Sequence, residues 1–430
     1  MSEDSHSQSP LQTHGQQRSR WYFSTAPCFA SVFLWVGFCQ PLADGTADRG
    51  ETGTLLGGLI LGGVLSYLLL YHVPATAGYD TGKGLIGTAS APFGSKGVWL
   101  VPGLLGGVLI TAWFGATLRT GAQLVSRELP IDGVPGIVLL VLSSLLIGVV
   151  ASLTAAGSWT SVARVSMALI VVPIVTMAYL VFRVADGIKI HTVDEPDPNT
   201  ALLLLVQMVV AFAASISTSA PDFGMMARNR RDIVFGGVAG LLVPIVYAGF
   251  LGILTTVGGH AMNPGAGAGY IGAIEGLGDG VGFLLAVTSL PAASAFCLMA
   301  STNLGAAFPS LSRGFRLIVV GACGVVLAAT GVSDNLAALA TFTGAFLAPV
   351  GGVITADFVR AGWRWPHLRP GINFAGIGAV ALGIPVGLLP FAFPGAQPAA
   401  IYSYLTGFLG YLFLCQLGLK PHRQKVRKRR

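Results

Sequence analysis

Charged residues are scarce in this chain of 430 residues. Asp, Glu, Lys and Arg make up only 10% of it, whereas a soluble domain carries about 25%. Hydrophobic residues account for 53%, and the mean hydropathy is +0.72. This balance argues against a soluble enzyme or binding module. It predicts an all-α integral membrane protein, because long apolar runs cross a bilayer as helices.

Cysteine is also scarce and forms no pattern. The spacing of the five residues shows neither a disulfide framework nor a metal site. Three histidines fall at span ends or in loops and form no metal set. We therefore expect no cofactor and no metal beyond a coupling sodium ion. The residues concerned are Cys28, Cys39, Cys297, Cys323 and Cys415, with His72, His191 and His260.

Charge is absent from the middle of every predicted span. All 18 acidic residues fall in loops, tails or helix ends, with Asp222, Asp334 and Asp357 nearest the membrane. Proton pumps and carriers of charged substrates usually place an ionisable side chain within the bilayer. Its absence predicts a neutral cargo and a coupling ion held by carbonyl and hydroxyl oxygens.

Apolar runs of about 17 to 25 residues predict twelve transmembrane helices. They lie near residues 27–43, 54–73, 97–119, 134–156, 161–184, 200–220, 233–257, 280–307, 315–331, 336–356, 373–391 and 400–418. We expect five-span halves over 26–186 and 200–357 and two extra spans over 370–418. A disordered tail over 1–25 and a basic tail over 419–430 complete the chain.

Lys and Arg predict the orientation. With both termini cytoplasmic, 20 of the 25 basic residues lie on the inner side, as the positive-inside rule requires. The largest basic cluster is the tail at 420–430, so the net charge of +7 is not the footprint of a nucleic-acid partner. The sequence does not predict an oligomeric state.

Two spans carry helix-breaking residues at corresponding places. The first contains Gly37, Gln40 and Pro41, and the sixth contains the small, hydroxyl-rich run 215–219 followed by Pro221. These spans are five apart, so each opens a five-helix half, and the odd number inverts one half relative to the other. Paired interruptions indicate a midplane site in secondary transporters. The alternative for span six is an ordinary helix end followed by a basic loop.

Two aromatic residues mark the third span. Trp113 and Phe114 lie mid-span among small residues, where they could stack a flat ring. In other proteins such stacking is worth about 1–3 kcal/mol per base. Phe212, directly before the hydroxyl-rich run, could close the stack from the other side. The alternative for all three is core or lipid packing.

Polar side chains in three spans are further candidates. Gln40 lies in span one, Ser215 and Ser217 in span six, and Ser289 and Ser294 in span eight. Each could bind cargo or a cation, or could only satisfy nearby backbone groups. The residue types do not decide between these roles.

Three segments resemble one known family. APFGSKGVWLVPGLLGGVLITAWFG at 91–115, SISTSAPDF at 215–223 with RNRRD at 228–232, and FTGAFLAPVGGVITADFVRAGWRWPHL at 342–368 are similar to bacterial cytosine permeases. These belong to nucleobase–cation symporter family one. The resemblance covers most of residues 85–390.

The resemblance implies a five-plus-five inverted-repeat (LeuT-like) fold with broken helices 1 and 6 and two extra spans. Cargo would be a neutral nucleobase such as cytosine, or a related heterocycle, imported across the inner membrane with Na⁺ or H⁺. Trp113 and Phe212 match the family's stacking aromatics. Gly37, Phe38 and Ser294 are candidate cation ligands.

Departures from the family leave cargo and ion open. Ile110 stands where a cytosine-reading Gln is expected. Span eight offers either Pro291 and Ser294, or Ser289 and Ala292, so at least one sodium-ligand hydroxyl is lost. Another purine, pyrimidine or hydantoin-like cargo and proton coupling stay open. Rival functions are an amino-acid carrier of the same fold and a ligand-binding membrane sensor. No nucleophile, metal set or base within the spans suggests an enzyme.

Overall fold

A computed structural model describes residues 18–25, 30–129, 133–190, 193, 196–262, 280–331, 334–363 and 369–419. Among them, eleven helices are long and apolar enough to cross a membrane. They coincide with predicted spans 2 to 12, and the chain is a multi-pass membrane protein. In order they are Thr52–Thr81, Gly97–Glu128, Gly133–Ala156, Trp159–Arg183, Pro198–Ser217, Arg230–Gly259, Val281–Ala307, Arg313–Thr330, Leu336–Arg360, Phe374–Ala392 and Ala399–Gln416.

The spans differ in how deeply they are buried. In its most apolar stretch, span 8 is 78% buried, and spans 3, 6 and 10 are also mostly enclosed. Span 9 is only 22% buried, and spans 4 and 5 are similarly open. Exposed Leu, Val and Ile side chains cover these outer spans, as expected of helices that face lipid. The centre of the bundle therefore lies among spans 3, 6, 8 and 10.

Side-chain caps set several helix starts. Asp197 accepts a hydrogen bond from the Thr200 N–H at the start of span 6. Asn335 accepts one from Ala338 at the start of span 10. Similar caps begin spans 7, 9 and 11. Such residues satisfy N–H groups that a helix cannot pair internally.

Span 1 is shorter and differs from the prediction. A 3₁₀ turn, Ala30–Phe33, leads into one continuous helix, Leu34–Asp44, with Pro41 inside it. The helix is therefore not interrupted at Gly37 or Pro41. Gly37 serves close packing instead, since an added Cβ would lie 2.9 Å from Leu336 Cδ1 and 3.0 Å from Thr120 Oγ1. Residues 26–29 lie outside the description, so the count of twelve spans stays a prediction.

Span 6 ends within the predicted stretch. Its helix stops at Ser217, Thr218 and Ser219 form a turn, and a short helix follows over Ala220–Met226. The Ser219 N–H donates to the Ile216 carbonyl at 2.9 Å, and the Ser219 carbonyl accepts from Asp222 N–H at 2.9 Å. The turn thus pairs its own backbone groups where the helix stops.

Wide π-helical turns interrupt three other spans. They cover Ser66–His72 in span 2, Leu100–Leu105 in span 3 and Val238–Leu242 in span 7. Spans 2 and 7 are the second members of the two predicted halves. Such turns are rare in helices and concentrate near functional sites.

The amino-terminal segment is partly ordered, contrary to expectation. Trp21–Ser24 forms one helical turn. The Ser19 N–H donates to the Met226 carbonyl at 2.8 Å, and Arg228 N–H donates to the Ser19 carbonyl at 3.0 Å. These backbone bonds hold the segment against the end of the 220–226 helix, which charge and polarity alone did not indicate. The rest of the predicted tail, like the basic tail after 419, lies outside the described residues.

A buried polar cluster joins the carboxyl ends of spans 10 and 12. Arg369 Nη1 donates to Asp357 Oδ1 at 2.9 Å and to the Ala91 carbonyl at 2.8 Å. Tyr411 OH donates to the same carboxylate at 2.6 Å. Asn373 donates to the Pro92 carbonyl at 2.6 Å. Ala91 and Pro92 belong to a loop helix, Leu85–Phe93, so this cluster fixes the carboxyl end of that helix.

Spans 2 and 6 meet through two glycines. A Cβ at Gly78 would overlap the Pro221 carbonyl, and a Cβ at Gly224 would overlap the Ala75 carbonyl. Each glycine thus lets its helix touch the backbone of the other. Small residues allow this closeness in membrane helices. The carboxyl-terminal part of span 2 and the 220–226 helix therefore form one tightly packed unit.

We predict that Gly224→Ala destabilises the protein, because the methyl group must push the two backbones apart. Gly57→Ala is the matched control, since a Cβ there meets nothing within 4 Å and alanine favours helix. Thermal unfolding in detergent should show a lower midpoint for Gly224→Ala alone. Equal midpoints would contradict this packing.

Asp222 follows the turn in span 6 and reaches the loop helix Leu85–Phe93. Its Oδ1 accepts the Leu85 N–H at 3.3 Å. The approach depends on Gly84, where an added Cβ would overlap that oxygen. Removal from water raises the pKa of Asp222 to about 7, despite the Leu85 bond that lowers it.

This raised pKa predicts a pH-dependent stability. The folded protein holds the proton of Asp222 more tightly than the unfolded chain does. The resulting stabilisation is complete below about pH 4 and is lost as the pH rises through about 7. Asp222→Asn stays neutral and keeps an acceptor for Leu85. We expect its thermal midpoint to fall less than that of the native protein between pH 5 and 8, and parallel curves would contradict this account.

Candidate functional site

Five buried aromatic side chains meet in the middle of the bundle. We call Trp35, Phe38, Trp113, Phe212 and Phe296 the aromatic cluster; they come from spans 1, 3, 6 and 8. Phe38 and Phe212 stack with centroids 5.4 Å apart and planes 29° apart. Trp35 meets Phe212 at 5.5 Å and Phe38 at 5.7 Å. Predicted residues of three spans thus come together in one place.

The orientation of the rings differs from a Trp113–Phe212 sandwich. Trp113 meets Phe212 edge to face, with centroids 5.1 Å apart and planes 80° apart. Phe296 instead lies nearly parallel to Trp113, at 6.3 Å and 21°. A flat ring between two plates needs about 7 Å, twice the contact distance between carbon atoms. Trp113 and Phe296 are therefore close to the spacing that a stacked guest requires.

Span 10 holds the Trp113 ring in place. The Trp113 Nε1–H donates to Thr343 Oγ1 at 2.8 Å, and that hydroxyl donates to the Leu339 carbonyl at 2.7 Å. Both side chains are buried. The indole N–H of Trp113 is consequently satisfied within the protein, and only its ring faces are available for contacts.

Phe114 does not join the aromatic cluster. Its ring lies against Gly324 of span 9, where an added Cβ would overlap the phenyl carbons. Successive helical residues point about 100° apart, so Trp113 and Phe114 face different neighbours. Phe114 packs span 3 against span 9.

The predicted serines all donate to carbonyls of their own helices, and Ser217 also contacts span 10. Ser215 Oγ donates to the Phe212 carbonyl at 3.0 Å, and Ser217 Oγ donates to that of Ala214 at 2.7 Å and lies 3.3 Å from the Leu347 carbonyl of span 10. In span 8, Ser289 and Ser294 each donate to a helix carbonyl at 2.6 Å. Their hydroxyl hydrogens already bond to carbonyls, but each oxygen can still accept a hydrogen bond through a lone pair. These hydroxyls can therefore act as acceptors or as cation ligands.

Ser289 lies away from the aromatic cluster. A Cβ at Gly121 would be 2.8 Å from Ser289 Oγ. Gly121 is eight residues beyond Trp113, which is about 12 Å along a helix. Ser289 thus packs against the part of span 3 that follows Trp113 in the chain.

The three candidate cation ligands lie in spans 1 and 8. Pro41 lacks an N–H and sits inside the Leu34–Asp44 helix, so the Gly37 carbonyl cannot receive its usual bond from that residue. Phe38 is in the aromatic cluster, and Ser294 is fully buried in span 8. The side chain of Gln40 lies outside the described residues. Among the residues described, no group of three or more His, Cys, Asp or Glu could hold a metal ion.

Comparisons with known proteins find relatives and similar structures. No protein-family model matches the chain. It is 29% identical over 412 residues to the cytosine permease of Escherichia coli O157:H7, covering 90% of this chain and 88% of the relative. The permease of strain K12 is 28% identical over the same length. The chain is a homologue of bacterial cytosine permeases.

The fold matches a solved transporter structure. Mhp1, a nucleobase-cation-symport-1 family transporter, superposes in its closed, bromovinylhydantoin-bound form with a TM-score of 0.70. The two chains are 17% identical, and 94% of each is covered. The cytosine-permease homologue therefore has this transporter's fold, close to LeuT-like carriers. Its relatives are permeases, which are transporters and not enzymes.

Three residues of the site were not predicted. Trp35 stands one helical turn before Phe38, and this spacing could have indicated a shared face. Phe296 is the lone aromatic in the run PAASAFCLMAS, whose small residues and serines do not indicate a ring at the site. Thr343 is 230 residues from Trp113, and nothing in the sequence pairs them.

We predict that Thr343→Val lowers the free energy of unfolding, because it removes the acceptor of the Trp113 N–H. The indole N–H would lose its acceptor in a buried place, at a cost of about 1–3 kcal/mol. Thr341→Val is the matched control, because Thr341 Oγ1 only donates to the Ala337 carbonyl of its own helix. Denaturant unfolding followed by tryptophan fluorescence should separate the two variants. Equal loss of stability in both would contradict a special role for the Thr343 bond.

Proposed function

We propose that this chain imports a neutral nucleobase or a closely related nitrogen heterocycle, driven by a cation gradient, by alternating access. The observation that carries the proposal is the aromatic cluster, built at the centre of four spans. The Ser215 hydroxyl bonds to the carbonyl of Phe212, a member of the cluster, and the charged residues of the described spans lie towards span ends. Such a site suits a flat, uncharged guest with polar edges.

The cargo class rests on the geometry and the relatives together. Trp113 and Phe296 are nearly parallel and 6.3 Å apart, so a separation of about 1 Å more would admit a planar ring. Phe212 meets the indole edge to face and would close one side. Relatives named cytosine permease and a neighbour holding a hydantoin both concern flat nitrogen heterocycles.

Ser215 and Ser217 would contact the polar edge of the cargo. Their hydroxyl hydrogens already bond to helix carbonyls. The remaining lone pairs would accept N–H groups of a nucleobase. These serines belong to the last turn of span 6, next to the turn at Thr218 and Ser219.

The coupling ion would be Na⁺ or H⁺. For Na⁺, the Gly37 carbonyl, the backbone at Phe38 and the Ser294 hydroxyl offer the hard oxygen ligands that such a cation accepts. A Na⁺-coupled sialic acid symporter shares the fold, with a TM-score of 0.62 and 14% identity. The loss of a family hydroxyl in span 8 keeps H⁺ as the second candidate.

Transport would occur across the inner membrane with both termini in the cytoplasm. The basic residues support this orientation through the positive-inside rule. Spans 1, 2, 6 and 7 would move together against the others. The glycine contacts of Gly78 and Gly224 support a joint movement of spans 2 and 6.

Uptake into proteoliposomes tests the function. With radiolabelled cytosine, uracil, hypoxanthine or hydantoin, we expect saturable accumulation that needs an imposed Na⁺ or proton gradient. Trp113→Ala should abolish it while the protein stays folded, because the stacking face is lost. Trp99→Ala, which removes a half-exposed indole, is the control and should transport normally.

Two results would contradict the proposal. Unchanged kinetics in Trp113→Ala would remove the stacking site. Binding without accumulation in the native protein would favour the ligand-binding sensor.

A further inference from the structure

Trp35 carries a buried donor that nothing satisfies. Its side chain is fully buried, yet its Nε1–H has no hydrogen-bond partner among the described residues. Trp113, the other indole of the aromatic cluster, donates to Thr343. Buried polar groups are paired in the great majority of cases, and an orphan costs about 1–3 kcal/mol. An exception at a binding site indicates a group that a ligand completes.

The Trp35 ring contacts both span 7 and the rest of the aromatic cluster. A Cβ at Gly249 of span 7 would lie 3.2 Å from Trp35 Cζ3. In an indole, Cζ3 belongs to the benzene part and is opposite the carbon that carries Nε1. The ring also contacts Phe38 and Phe212 within the aromatic cluster. The contact with span 7 therefore involves the benzene part of the indole and not its N–H.

The other polar groups near the cluster offer acceptors. Ser215, Ser217 and Thr218 donate their hydroxyl hydrogens to carbonyls of span 6. Ser294 does the same in span 8. The Trp113 Nε1–H already donates to Thr343 Oγ1. Among these described groups, Trp35 holds the donor that is still available, so an acceptor on the cargo should point towards span 1.

We propose that the Trp35 Nε1–H donates to an exocyclic carbonyl oxygen of the cargo and makes the transporter selective for oxo-bearing heterocycles. This inference rests on the proposed function and narrows its substrate class. Pyrimidinones, oxopurines and hydantoins carry such an oxygen, whereas aminopyrimidines and adenine do not. Trp35 thereby acts as a specificity-determining residue.

A carbonyl oxygen fits this donor better than a ring nitrogen. The indole is fully buried and flanked by Phe38 and Phe212, so its N–H is recessed. An exocyclic oxygen projects about 1.2 Å beyond the ring and presents two lone pairs. A ring nitrogen lies flush with the ring edge, between flanking substituents, and cannot reach as far.

Ligand pairs that differ in this oxygen test the proposal. Affinities of the purified protein in detergent would be measured by calorimetry for cytosine, uracil, hypoxanthine and hydantoin. 4-Aminopyrimidine, which keeps the amino group of cytosine but lacks its oxygen, is the comparison. Trp35→Phe removes the N–H and keeps an aromatic ring. We expect it to weaken binding of the oxo compounds about tenfold and to leave 4-aminopyrimidine unchanged.

Controls separate hydrogen bonding from packing. Trp99→Phe, which changes a half-exposed indole at the end of the 3₁₀ turn Gly97–Trp99, should bind every ligand as the native protein does. If Trp35→Phe fails to fold, 3-benzothienylalanine at position 35 replaces the N–H by sulfur and keeps the shape. The same selective loss is expected for it.

The outcomes distinguish this inference from the proposed function. Equal weakening of cytosine and 4-aminopyrimidine in Trp35→Phe would mean that Trp35 only packs, and would overturn the inference alone. Equal affinity of the native protein for both compounds would do the same. Binding of none of the four oxo compounds would overturn both proposals.

Discussion

Inside a lipid bilayer, a polar group without a partner has no water to bond to, and this constraint organises the whole bundle. The chain satisfies this constraint with hydrogen bonds inside the protein. Hydroxyl side chains donate to carbonyls of their own helix, as Ser215 and Ser294 do. Trp113 reaches across to Thr343, and the turn after Ser217 pairs its own backbone groups. The Trp35 N–H is one of several buried side-chain atoms without a partner among the described residues, and it is the one that belongs to the aromatic cluster.

The same constraint explains how a charged cluster is buried at the carboxyl ends of spans 10 and 12. The Asp357 carboxylate is buried there because Arg369 and Tyr411 both donate to it. That cluster holds the carboxyl end of the loop helix Leu85–Phe93. Asp222, which is packed against span 2 through Gly224, meets the amino end of the same helix. This helix therefore links the unit of spans 2 and 6 to spans 10 and 12. A rocking movement would have to bend or release one of its ends.

Particular residues show how far sequence reasoning reached. Spans 2 to 12 could be predicted, because an apolar run of membrane length has few alternatives to a helix. Trp113 and Phe212 could be nominated from their place beside small residues, and they do meet. Phe114 has the same mid-span position among small residues as Trp113. It faces Gly324 instead, because one step along a helix turns the side chain towards another neighbour. Gly37 and Pro41 suggested a break in span 1, yet the helix continues because one missing N–H does not end it.

The sequence by itself determined that this is a multi-pass membrane protein and how its helices are spaced, and it predicted a neutral cargo. These properties depend on composition and on local runs, which each segment carries alone. Only the tertiary structure decided which aromatic rings share a centre, that Phe296 rather than Phe212 lies parallel to Trp113, and that the Trp113 N–H is paired by Thr343 while the Trp35 N–H has no partner among the described residues. Those facts depend on side-chain direction and on contacts between residues up to 230 positions apart, and neither property is encoded in a single span.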